Sequence, residues 1–126
     1  MRGTVLLLNR EGALVVDVEL LRVNGLIVYD CDELQRAVNQ LQHVAPDVIV
    51  VAFAASGPAS MVAALRNAAD RATSIIATSA PEQREAALHG GADAFLLDSA
   101  QPSDLLYEIH RALILRRSGR RLPWNW

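Results

Sequence analysis

The chain contains no lysine, and all twelve basic residues are arginine. No ammonium group is therefore available for Schiff-base chemistry or for a point-charge contact to phosphate. Cys31 is the single cysteine, which excludes an intramolecular disulfide and a multi-cysteine metal site. A small apolar residue near the end of a strand accounts for it. Aromatic residues make up only 5% of the chain, and both tryptophans, Trp124 and Trp126, fall in its last three positions. No apolar stretch approaches the roughly 20 residues needed to span a bilayer. The opening Met1-Arg2-Gly3-Thr4 passes into a strand-like segment rather than a signal peptide, which points to the cytoplasm. Neither sign of charge dominates: the net charge is −2, too near neutral to imply a polyanionic partner for the domain as a whole.

What is present is a globular composition, 52% hydrophobic and 21% charged. The 126 residues suit one domain that buries about two thirds of the surface its unfolded chain exposes. Thr4 to Leu8 is a short, continuously apolar run, as a parallel strand covered on both faces requires. Leu14, Val15, Val18, Leu21 and Arg22 follow at helical spacing, and Asn24-Gly25 stops that helix. A strand over Leu26 to Tyr29 comes next. Asp30 or Asp32 then caps a helix through about Val44, with Leu34, Ala37, Leu41 and Val44 as its apolar stripe. Further strands are expected over Asp47 to Ala52, Ser74 to Thr78 and Ala92 to Leu97. The intervening helices run from Ala59 to about Ala69 and from Pro81 to His89. The last helix starts at Pro102 and carries Leu105, Leu106, Ile109, Leu113 and Ile114.

Five strand–helix alternations with short connections argue a three-layer α/β domain with a parallel sheet. Three segments carry more: PDVIVVAFAASG from Pro46, the Gly91-Ala92-Asp93 triplet, and PSDLLYEIHRAL from Pro102. In order and spacing, over about residues 4 to 116, they resemble the receiver (CheY-like) domains of bacterial response regulators. The resemblance implies a flavodoxin-like, doubly wound (βα)5 sheet of strand order 2-1-3-4-5. Residues 1–116 would form that domain, and 117–126 a basic, tryptophan-containing tail or linker.

A working receiver places two acidic residues after its first strand to hold magnesium; Asn9 and Arg10 stand there in this chain. The phosphoacceptor aspartate corresponds to Ala52, whose methyl group accepts nothing. Ser79 matches the hydroxyl residue that contacts the phosphoryl group, and it also suits a helix cap, with Glu82 three positions on as in a capping box. Asp98 replaces the family's lysine after the fifth strand, and Phe95 fills its aromatic position. The charged positions have thus exchanged sign, so an Arg10–Asp98 ion pair closing the former pocket is expected. Such a set describes a degenerate pseudo-receiver with no metal or cofactor of its own.

No other chemistry stands out. His43, His89 and His110 are isolated on expected helices, and no phosphate-binding glycine loop or paired-carboxylate motif appears, so the reading is not an enzyme. The resemblance implies a partner face built from the fourth helix, fifth strand and fifth helix, here Gln83, Arg84, Ala87, Phe95, Tyr107 and His110. Trp124 and Trp126 add anchors in a tail that also carries Arg117, Arg120 and Arg121. Self-packing, a linker, a docking tail and nucleic-acid contact all remain open for that tail, the last without a basic patch on the main body. The functional expectation is a phosphorylation-independent interaction or dimerisation module in bacterial signalling or transcription control, with protein partners. An anion sensor built on Arg10 and a divergent flavodoxin-like enzyme are the alternatives.

Overall fold

The structure, a computed structural model, describes residues 2–10, 18–54 and 60–117. Five parallel strands form one sheet: β1 (Gly3–Asn9), β2 (Leu26–Cys31), β3 (Val48–Ala52), β4 (Ser74–Ser79) and β5 (Ala94–Leu97). Their order is β2-β1-β3-β4-β5, as expected from the sequence. The helices are α1 (Val18–Val23), α2 (Leu34–Gln40), α3 (Ser60–Ala68), α4 (Arg84–His89) and α5 (Pro102–Arg117).

The apolar runs alternate between two cores because both faces of the sheet are covered. Val5, Leu7, Val48, Val50 and Ile76 pack with Leu21 of α1 and with Leu105, Ile109 and Leu113 of α5. Leu6, Leu8, Ile49, Val51, Ile75 and Ala77 point the other way, onto Ala37 of α2, Met61, Val62 and Leu65 of α3, and Ala87 of α4. A one-residue slip in any of these strands would exchange the two faces, so the double burial fixes the register.

Aspartates just before two strands tie the amino-terminal end of the sheet. Asp47 Oδ2 accepts the Thr4 N–H at 2.9 Å, and Asp93 Oδ2 accepts the Ile75 N–H at 2.8 Å. Arg66, at the end of α3, donates to the carbonyls of Asp70 and Thr73 at 2.7 and 2.8 Å and reaches Asp93 at 3.4 Å. Gly91 passes under this arginine with φ +113, and a Cβ there would lie 2.7 Å from Arg66 Cγ. Left-handed backbone and close approach together call for glycine.

Two helix starts differ from expectation. Neither Asp30 nor Asp32 caps α2: Asp30 lies within β2, and Glu33 occupies the capping position without a side-chain hydrogen bond. Asp32 and Glu33 instead reach Arg36, at 3.8 and 3.5 Å. The helix is also shorter than its apolar stripe, with residues 41–43 in turns. Pro81–Gln83 form a 3-10 turn before α4, closed by Gln83 N–H donating to the Ala80 carbonyl at 3.0 Å.

Candidate functional site

The carboxyl ends of the strands are where an open parallel sheet gathers its functional groups. There Asn9, Ala52, Thr78 and Leu96 stand side by side, paired in register across β1, β3, β4 and β5. Residues paired in register share a face, and Ala52 belongs to the core under α1 and α5. Ala52 is fully buried, its methyl packed rather than presented. Thr78 beside it is also buried, and its Oγ1 finds no hydrogen-bond partner among the described residues. Thr78 escaped the sequence reading because nothing in a strand pattern tells a satisfied threonine from an unsatisfied one.

Ser79 is fully buried on the opposite side of β4. Its hydroxyl donates to the Phe53 carbonyl at 2.7 Å, with the Ala54 carbonyl at 3.4 Å. This corrects the capping-box expectation, because Ala80 takes the position before the 3-10 turn and no side chain caps it. A hydroxyl enclosed by the loop after β3 has backbone carbonyls nearer than any helix start.

The expected Arg10–Asp98 ion pair is not among those formed by the described residues. Arg10, half-buried after β1, directs Nη1 toward the Met61 sulfur in α3 at 3.6 Å. Asp98 lies in an exposed turn after β5, held through its backbone N–H, which donates to the Ser79 carbonyl at 2.9 Å. The guanidinium crosses toward α3 while the carboxylate faces water, where an ion pair would bring little. Among the described residues, no three His, Cys, Asp or Glu side chains are grouped so that they could hold a metal ion.

Cys31 ends β2, one strand away. Burial pushes its thiol upward in pKa, Asp30 and Asp32 add to the effect, and Arg36 opposes it. A protonated thiol is a poor nucleophile.

On the expected partner face, Arg84, Tyr107 and His110 are exposed, and Phe95 is half-buried against the core beneath α2, α3 and α4. Ala87 does not belong to that face: it is fully buried, since it is the residue by which α4 seats on the sheet. Leu97 and Ile114 do reach solvent, at 44% and 53% exposure. Of the apolar residues on α5, the stripe of Leu105, Ile109 and Leu113 at four-residue spacing fills its inner side. Trp124 and Trp126 lie outside the described residues.

No family model matches the sequence, and no curated protein does. Solved structures do match. A CheY-like response regulator receiver domain protein from Methanospirillum hungatei JF-1 superposes with a TM-score of 0.77 at 16% identity, covering 94% of this chain and 99% of that one. The chemotaxis response regulator CheY4 of Vibrio cholerae gives 0.71 at 20%, over 89% and 99%. NtrX from Brucella abortus gives 0.75 at 15%, over 94% of this chain and 29% of that longer one. At these identities the likeness is one of fold, and the fold is the flavodoxin-like 2-1-3-4-5 sheet of response-regulator receiver domains.

Proposed function

We propose that this chain is a phosphorylation-independent receiver-like module that works by protein interaction in signalling and catalyses no reaction. The carrying observation is Ala52: the strand end that would present an acceptor carboxylate presents a fully buried methyl. Asn9 beside it is neutral, and phosphoryl transfer depends on positioning and charge neutralisation at this place. Interaction then falls to the surface, where Leu97, Tyr107 and Ile114 expose apolar area at β5 and α5, beside Arg84 and His110. A protein partner or a second copy of the chain would use this face. Use of Arg10 as an anion reader has less support, because its guanidinium is turned toward Met61.

Two measurements test the reading. Incubation with acetyl phosphate and Mg²⁺, followed by intact-mass analysis, should leave the mass unchanged; an acid-labile, stoichiometric adduct would overturn it. Capture of partners by the protein, and its sedimentation behaviour, should change with Tyr107→Glu or Leu97→Glu and not with acetyl phosphate. Unchanged association in both variants would remove the face from the proposal.

A further inference from the structure

We propose that Ser79 is a built-in latch, tying the loops after β3 and β5 to β4 so that the rim of the sheet is held by the chain's own hydrogen bonds. The observation is the division of labour within one buried residue. The hydroxyl proton of Ser79 goes to the Phe53 carbonyl at 2.7 Å, just beyond the end of β3. The carbonyl of Ser79 accepts the Asp98 N–H at 2.9 Å, just beyond the end of β5. Phe53 N–H in turn donates to the Thr78 carbonyl at 3.2 Å. The first residue after β3 is therefore gripped from both sides by two successive residues of β4.

A serine whose hydroxyl faced the rim would be free to bind a group placed above Ala52. This one has given its proton to the backbone and is shut away from water. Turning it outward would strand the buried Phe53 carbonyl, which costs more than an ordinary hydrogen bond returns. The latch acts by position alone and holds whatever the fate of the phosphorylation reading, since it requires only the bonds of Ser79. Its effect is on local opening, the free energy at which one segment detaches while the rest stays folded.

The test is amide hydrogen exchange by NMR on the intact protein, with Ser79→Ala, Ser79→Cys and Ser79→Thr. Ser79→Ala should speed exchange at Phe53 by about five- to tenfold, while Asp98, bonded to a backbone carbonyl that alanine keeps, should stay protected. That rise is measured beyond any change shared by Val5 to Leu8, which report global unfolding. Ser79→Thr, which keeps the donor, should retain the protection. Should the alanine variant fail to fold, Ser79→Cys preserves the volume, lacks a strong donor, and carries the same comparison. A uniform change, no change at Phe53, or equal acceleration at Asp98 overturns the latch.

Discussion

Replacing Thr78 with valine should make the protein more stable, although it removes a polar group from the centre of its candidate site. Thr78 is 1% exposed, and its Oγ1 has no hydrogen-bond partner among the described residues. The hydroxyl therefore left water on folding with nothing in return, a cost of about 1–3 kcal/mol. Valine has the same branched shape and the same side-chain stiffness in a strand. It also places a methyl group against Ala52 and the core under α5, worth up to about 0.8 kcal/mol if fully buried. Discounting for imperfect fit, the gain should be about 1–2 kcal/mol. For a chain of 126 residues, an unfolding entropy of about 2.1 cal/mol/K per residue converts this to a rise of about 4–8 °C in Tm. Thermal and urea melts should agree, with the urea m-value unchanged. Thr78→Ser is the matched control: it keeps the hydroxyl, loses the methyl, and should destabilise by about 1 kcal/mol. A valine variant less stable than the parent by 1 kcal/mol or so would show that the hydroxyl is bonded, and the reasoning would fail.

Other outcomes follow from the same structure. Ala52→Asp should not create a phosphorylatable site and should cost about 3–5 kcal/mol at neutral pH, because the new charge is buried without a partner. Burial raises the pKa of such a carboxyl, so the cost should shrink as pH falls, which urea melts at two pH values would show. Arg66→Ala should destabilise by about 2–3 kcal/mol through two lost carbonyl contacts, at 2.7 and 2.8 Å, in a mostly buried side chain. Arg66→Lys should rescue little, since an ammonium cannot reproduce the guanidinium fork. Cys31 should react with Ellman's reagent more slowly at pH 8 in the folded protein than in urea, and Asp32→Asn should narrow the gap. The folded chain holds the thiol proton more tightly than the unfolded chain does. Stability therefore declines as pH rises past the unfolded thiol's value of about 8.5.

Much of the fold was legible because its determinants are local. The run Val48–Val51 reads as a doubly covered strand from its composition alone, and both sides of it are indeed core. Helix starts were less legible. Asp32 looked like a cap, yet its carboxylate found Arg36 one helical turn away, an alternative that spacing leaves open. At the site, the residue types were readable and their contacts were not. Arg10 and Asp98 are opposite charges at positions that the family resemblance makes neighbours, but Arg10 places Nη1 toward the Met61 sulfur and Asp98 is exposed, with no pair between them. Ser79 could cap a helix or meet a rim group by sequence, and what decided was the nearness of the Phe53 carbonyl.

The sequence by itself determined that no lysine chemistry and no internal disulfide are possible, that the domain is a parallel α/β sheet, and that Ala52 cannot accept a phosphoryl group. These follow from residue identity and short-range periodicity, which no packing can revise. Tertiary structure decided where each polar group discharges its bonding capacity: Ser79 into backbone, Arg66 across two loops, and Thr78 into nothing among the described residues. It also decided that Ala87 is core and that Leu97 and Ile114 are surface. Those outcomes depend on which atoms from distant segments arrive within about 3 Å of one another, and only the folded chain sets that.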